Sequence, residues 1–255
     1  MKHRREFLAL TTAGLAAGLL VPSSFLQAAE GQPFKAVAFD AFPIFDPRPI
    51  FALAEELFPG RGTELSNVWR TRQFEYTWLR TLSGRYADFK KTTTDALIYA
   101  ARTLKLEWDG KQLTRLIDAY FQLKAWPDVL PALAALKEAG IRLCFLSNFT
   151  REMLEANAKG SGLDGYFEQL LSTDQARAFK PDPRAYQLGI DAFKLKREEI
   201  VFAAFAGWDA AGAKAFGYPT FWVNRQNAVM EELDAPPDAT GGLADLVKFV
   251  LHGSV

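Results

Sequence analysis

The stretch Phe34-Lys35-Ala36-Val37-Ala38-Phe39-Asp40-Ala41-Phe42-Pro43-Ile44-Phe45-Asp46 decides the fold. Phe34–Phe39 is a short apolar run with the composition of a strand buried on both faces. It ends on a carboxylate, and the chain then turns. A buried strand that stops at an Asp presents that side chain at the carboxyl edge of a sheet, where open α/β folds keep their ligands. Asp40 is therefore the first candidate for a nucleophile.

Working outward, the pattern changes at Pro47. Ile50, Leu53, Ala54 and Leu57 share one face of a helix that stops at Pro59-Gly60. Further helices are expected over Leu65–Leu82, Lys91–Leu104 and Leu113–Leu123, joined by short links as in a helical bundle. After Trp126-Pro127 the pattern alternates. Helices are expected over Leu130–Ala139, Arg151–Lys159, Pro183–Phe193, Asp209–Phe216 and Leu243–Leu251. Strands are expected over Ile141–Ser147, Phe167–Ser172, Ile200–Ala206 and Pro219–Val223, while Ala235–Gly242 reads as a surface loop. Strands alternating with helices predict a parallel sheet covered on both faces. Residues 30–46 and 127–255 would form this α/β core, and residues 47–126 a helical cap inserted after its first strand.

Composition narrows the chemistry. The chain has 255 residues, 49% of them hydrophobic, enough for a large core. Its 30 basic and 30 acidic residues balance, so nothing points to nucleic acid or a membrane surface. A single cysteine, Cys144, excludes an internal disulfide and a multi-cysteine metal site. It lies within the apolar run Ile141–Leu146 and reads as a core residue. The two histidines, His3 and His252, lie near the termini, which argues against a histidine-based metal or relay site. At the N-terminus, Lys2, Arg4 and Arg5 precede an apolar stretch over about Phe7–Val21 and small residues at Ala28-Ala29. Basic, apolar and cleavage regions in that order form a signal-peptide layout over residues 1–29. The sequence Arg4-Arg5-Glu6-Phe7-Leu8 resembles the twin-arginine signal, which exports folded proteins. The expectation is a nearly neutral mature protein in the periplasm or outside the cell.

Polar groups cluster where the core strands end. The first strand ends on Asp40 and the second on Ser147-Asn148. Lys180 precedes the helix at Pro183, and Asp209 follows the strand from Ile200. In a parallel sheet these ends converge on one crevice. Asp40 could attack an electrophilic carbon or phosphorus, Lys180 could hold its charge, and Asp209 could activate water for a second step. Each residue also has a plain reading. Asp209 could cap its helix, Ser147-Asn148 could be turn residues, and Lys180 could be a solvated lysine. Four such residues in this order favour a site.

This order of residues resembles the haloacid dehalogenase superfamily, and in particular its type II branch, the L-2-haloacid dehalogenases. The motifs that carry the likeness are Phe39-Asp40-Ala41-Phe42, the helix stretch Trp69–Arg80, Tyr86–Phe89, Leu146-Ser147-Asn148, Lys180–Tyr186 and Trp208–Gly217. The resemblance implies a Rossmann-like core with a helical-bundle cap, and a hydrolase acting on small 2-haloacids. Asp40 would displace halide from C2 and form an aspartyl ester. Lys180 would hold Asp40 ionised, with Tyr186 in support, and Asp209 would align the hydrolytic water. Arg70 would accept the halide with Asn148 nearby, and Ser147 would bind the substrate carboxylate. Phe42, Phe89 and Trp208 would wall the substrate. The resemblance implies no metal, no cofactor and a homodimer.

The chain departs from that pattern at Pro43 and Ile44, where the family has glycine and a threonine that bonds the nucleophile. It departs again at Ala204, Phe205 and Ala206, in place of two serines and an asparagine. Losing one well-placed donor can cost roughly 10²–10³ in rate. The expectation is slow turnover with accumulation of the Asp40 ester. Two rival readings stand beside it. A phosphatase of the same superfamily would need a second carboxylate at position 42, which is Phe. A non-catalytic periplasmic binder of a small acid or partner is favoured by Ile44, Ala204 and Ala206, and opposed by Asp40, Arg70, Ser147, Lys180 and Asp209.

Overall fold

The computed structural model describes residues 34–253. The segment 1–29, read above as an export signal, lies outside the described residues. The chain enters through β1 (Ala36–Phe39), whose four residues are all buried. Helices α1 (Arg48–Leu57), α2 (Gly62–Leu82), α3 (Phe89–Thr103) and α4 (Gly110–Asp118) follow, then a 3-10 turn at Ala119–Phe121. The alternating part comprises α5 (Val129–Glu138), β2 (Arg142–Ser147), α6 (Arg151–Gly160), β3 (Gln169–Ser172), α7 (Pro183–Phe193), β4 (Ile200–Ala204), α8 (Gly207–Phe216), β5 (Thr220–Val223), β6 (Ala239–Gly241) and α9 (Leu243–His252).

The strands form one parallel sheet in the order β3-β2-β1-β4-β5-β6. β1 lies between β2 and β4, with Phe39 opposite Phe145 on one side and Ala203 on the other. This central position explains its unbroken apolar run, because side chains on both faces are covered by helices. It also brings the ends of β1, β2 and β4 together at one edge. The inserted helices leave and rejoin the core at a single place. There Phe45 and Ala125 form an antiparallel bridge, Asp46 N–H donates to Lys124 O and Trp126 N–H to Ile44 O.

Several boundaries differ from the sequence reading, and the end of β4 bears on the site. β4 stops at Ala204 rather than Ala206, so Phe205 and Ala206 leave the ladder and turn toward the crevice. The expected loop Ala235–Gly242 contains β6, a three-residue edge strand. It pairs through its backbone with β5, and Thr240 Oγ1 donates to Trp222 O at 3.0 Å. So short a strand carries no alternation of apolar residues for the sequence to reveal. The fourth insert helix also starts earlier than expected, at Gly110. A reciprocal cap joins Asp109 and Gln112 there, each side chain bonding the other's backbone N–H.

The insert is held to the core on the side away from its exit by Thr81 Oγ1, which accepts from Phe179 N–H at 3.0 Å, and by a Tyr86–Asp174 hydrogen bond. Its own packing depends on a close crossing of α1 and α2. A Cβ built at Gly62 would fall 2.2 Å from Glu55 Cα, a backbone atom that cannot step aside. Gly62→Ala should therefore destabilise the protein by about 1–3 kcal/mol through overpacking. Gly110→Ala, where a Cβ meets nothing within 4 Å, should be neutral or slightly stabilising. Urea unfolding of the two variants checks the contrast; equal stabilities would show that the crossing can open freely.

Candidate active site

Four core segments each bring one charged or polar group to the carboxyl edge of the sheet. Asp40 follows β1, and its N–H donates to Ala203 O at 3.0 Å, which extends the β1–β4 ladder by one bond. Ser147 ends β2. Lys180 lies on the loop before α7. Asp209 sits in the first turn of α8, whose N-cap is Ala206, so Asp209 is not the cap residue. Its carboxylate turns inward instead.

These groups form one buried network. Lys180 is 1% exposed, and its Nζ donates to Asp40 Oδ1 at 2.9 Å and to Asp209 Oδ2 at 2.6 Å. Ser147 Oγ donates to the same Asp40 oxygen at 3.1 Å. The other oxygen, Oδ2, receives only a long contact of 3.4 Å from Phe42 N–H. Asp209 Oδ1 accepts from Tyr186 Oη at 2.7 Å, and Tyr186 is in turn fixed by Tyr218 Oη donating to its carbonyl at 2.7 Å. Helix α8 comes close enough to Tyr186 that a Cβ at Gly212 would lie 2.6 Å from the phenol oxygen.

Two carboxylates thus share one ammonium away from water. Burial pushes the Asp209 carboxyl up to about 6, and the like charge of Asp40 adds to that push while Lys180 opposes it. Burial alone would lower Lys180, but the attraction of Asp209 and Asp40 outweighs it and raises Lys180 above the usual lysine range. The pH consequences have opposite signs. Asp209 favours the fold most below its ordinary 3.8, and that contribution is lost as pH rises through about 6. Lys180 favours the fold below the ordinary 10.5 and loses that contribution as pH rises above it.

Above this network lies a cavity of about 230 Å³. It is lined by core residues that include Asp40, Ser147, Asn148 and Lys180, and by Arg70 from α2. Arg70 makes no ion pair among the described residues, and its guanidinium stands 5.2 Å from the centre of the Phe51 ring. The walls are aromatic. Phe42 packs against Phe149 at 5.2 Å and Phe205 at 5.5 Å, Phe89 against Phe149 at 5.3 Å, and Trp208 against Phe74 at 5.3 Å.

Most residues singled out from the sequence meet here, with some changes of position. Tyr186, expected in support of the Lys180–Asp40 pair, does not line the cavity. It lies behind Asp209 and donates to that carboxylate. Asn148 lines the cavity, but its Oδ1 accepts from Lys180 N–H at 3.1 Å and from Thr173 Oγ1 at 3.3 Å. Its NH₂ is the end left for a ligand. Ser147, expected to hold a substrate carboxylate, here bonds Asp40. Ile44 is fully buried in the apolar core and does not line the cavity; Ala204 is likewise buried in β4, whereas Ala206 faces the cavity.

Sequence reasoning missed Gln73 and Tyr120, both buried and both lining the cavity. Gln73 was within reach of a pattern argument, since it lies three residues after Arg70 on the same helix face. Tyr120 falls within the expected helix Leu113–Leu123, where the spacing reads it as a packing residue; it lies instead in the 3-10 turn and lines the cavity.

The buried charge network yields a stability prediction. Lys180→Met preserves bulk but leaves Asp40 and Asp209 facing each other without a cation. A loss of about 3–5 kcal/mol is expected at neutral pH. The loss should shrink as pH falls toward 5, because protonating a carboxylate relieves the repulsion. Urea unfolding from pH 5 to 8 reads this, and a deficit that is small or independent of pH would refute it.

Comparison with known proteins matches this arrangement to a family. A model described as a hydrolase, haloacid dehalogenase-like hydrolase, matches residues 24–217. The chain is 42% identical over 218 residues to haloacetate dehalogenase H-2 of Moraxella sp. (strain B), covering 85% of this chain and 97% of that protein. It is 42% identical over 205 residues to an (S)-2-haloacid dehalogenase of Pseudomonas sp. (strain YL), covering 80% and 88%. Among solved structures, it superimposes with a TM-score of 0.78 and 34% identity on an L-2-haloacid dehalogenase from Xanthobacter autotrophicus with chloropropionic acid covalently bound, covering 86% and 99%. With Asp40 at the end of β1, a lysine-bridged carboxylate pair and an inserted helical segment whose residues line the same cavity, the chain belongs to the haloacid dehalogenase-like hydrolases, among relatives that are L-2-haloacid dehalogenases.

Proposed function

We propose that the protein hydrolyses the carbon–halogen bond of small 2-haloacids through a covalent ester on Asp40. The observation that carries this reading is the buried bridge Asp40–Lys180–Asp209 beneath an aromatic cavity with Arg70 on its opposite wall. The covalently bound chloropropionic acid in the Xanthobacter enzyme supports it.

Lys180 and Ser147 occupy Asp40 Oδ1, so Oδ2 carries the free lone pairs and is the attacking atom. It bonds to C2 of the haloacid on the face opposite the halogen. The carbon–halogen bond breaks, the halide leaves with the electron pair, and C2 inverts. Arg70 offsets the charge growing on the halide, and the aromatic walls exclude water so that this attraction is not screened. Water then adds to the ester carbonyl carbon of Asp40. Its bond to the alkoxy oxygen breaks, which releases a 2-hydroxyacid and restores the carboxylate. Asp209 takes one proton of that water and the departing alkoxy oxygen takes the other. A carboxyl that titrates near 6 suits this role, being mostly ionised at neutral pH yet basic enough to accept.

Ala206 offers no hydrogen bond on its side of the cavity, so the second step should be the slower. Incubation with chloroacetate or 2-chloropropionate should give a mass increase on the peptide that contains Asp40, and Asp40→Asn should give none. Absence of both adduct and halide release across a panel of 2-haloacids would sink the proposal and leave a binding protein as the reading. Decay of the adduct should speed up as pH rises through the range in which Asp209 loses its proton, which in the ester lies below about 6 because the esterified Asp40 no longer carries the charge that helps raise Asp209. Asp209→Asn should prolong the adduct and remove that rise.

The substrate is proposed to be met outside the cytoplasm by a homodimer, after export directed by residues 1–29. Fusing those residues to a folded reporter should deliver it to the periplasm. Changing Arg4 and Arg5 together to Lys should block delivery; export of the variant at the normal level would exclude the twin-arginine route.

A further inference from the structure

One polar cluster of the cavity has no part in the chemistry above. Gln73 on α2 is fully buried, and its Nε2 donates to Thr93 Oγ1 at 2.7 Å and to Tyr120 Oη at 3.2 Å. Trp69, one turn earlier on α2, donates its indole N–H to Thr93 O at 2.9 Å, so α2, α3 and the 3-10 turn are tied at one point. The Tyr120 ring is held edge-on by Trp69 at 5.7 Å, Phe89 at 6.1 Å and Phe149 at 5.9 Å.

In this arrangement the Tyr120 oxygen accepts a hydrogen bond, and its own proton finds no acceptor among the described residues. A buried hydroxyl proton without an acceptor is costly, and it is satisfied most readily by whatever fills the cavity that Tyr120 lines. Arg70 lines the same cavity and comes from the same helix face as Gln73. Any group that Arg70 attracts is therefore negatively charged and a strong acceptor.

We infer that Tyr120, oriented by Gln73, is a further substrate-touching residue whose hydroxyl donates a hydrogen bond to an anionic group of the bound molecule beside Arg70. This rests on the haloacid reading of the cavity, whose two anionic groups are the substrate carboxylate and the departing halide. Burial pushes the Tyr120 phenol up to about 12, with the Gln73 hydrogen bond and the Arg70 charge opposing, so it keeps its proton at neutral pH. Gln73 is a positioning residue here: it turns the phenol oxygen so that the proton faces the ligand.

The test uses Tyr120→Phe, which removes one oxygen and leaves the ring packing intact. Calorimetric titration measures bromide and glycolate binding to the wild type and the variant. Neither probe reacts, so the result is independent of whether Asp40 forms an ester. A loss of about tenfold or more in bromide affinity alone would place the bond on the halide; the same loss for glycolate alone would place it on the carboxylate. Either result, or loss of both, supports the inference. Gln73→Met, which frees the phenol to turn, should give a smaller loss on the same probe. Unchanged affinity for both anions in Tyr120→Phe would overturn the inference, even with a lowered melting temperature, since that combination marks a purely structural role. A wild-type protein that binds neither anion would overturn it as well.

Discussion

The rest of the structure depends on one buried ammonium. Lys180 Nζ touches Asp40 and Asp209 at once, and none of the three side chains can be taken from water unless the others are in place. Those residues are far apart in the chain, so the network exists only when β1, the loop before α7 and the start of α8 are all correctly placed. The parallel order β2-β1-β4 does this, since it sets the ends of neighbouring strands side by side. The same network orders the proposed chemistry. It occupies one oxygen of Asp40 and leaves the other open for the attack proposed above. Burial of Asp209 within it pushes that carboxyl up to about 6, with Asp40 adding to the push and Lys180 opposing it.

Around this polar floor the cavity has largely aromatic walls. Phe42, Phe89, Phe149, Phe205 and Trp208 supply most of the wall near Asp40, and Ala206 adds no polar group there. Low local polarity strengthens the pull of Arg70 on a charged ligand and raises the demand for each remaining donor. This is the setting in which a single hydroxyl such as that of Tyr120 gains weight. Positions 44, 204 and 206 carry no polar side chain, and Ser147 and Lys180 together fill Asp40 Oδ1.

Much of the core was legible because its patterns are local. A strand ending at Asp40 needs only six residues to be recognised, and the alternation after Trp126 announces a parallel sheet. The convergence of Asp40, Ser147, Lys180 and Asp209 follows from that sheet by geometry. Other features depended on distance. Tyr186 carries the same motif whether it faces the cavity or the back of Asp209, and only the packing of α7 on α8 puts it behind. Phe205 was assigned to a strand because its neighbours are apolar; leaving the ladder at Ala204 turned it toward the crevice.

By itself the sequence determined which residues are buried, where the strands end, and which four groups meet at the sheet edge, because hydrophobic period and strand-end position are properties of neighbouring residues. Only the tertiary structure decided which oxygen of Asp40 is free, that Tyr186 donates to Asp209, and that Gln73 and Tyr120 share the cavity with Arg70. Hydrogen-bond direction and side-chain facing depend on groups supplied from distant parts of the chain. Tyr120 and Gln73 are 47 residues apart, and no local pattern records that they touch.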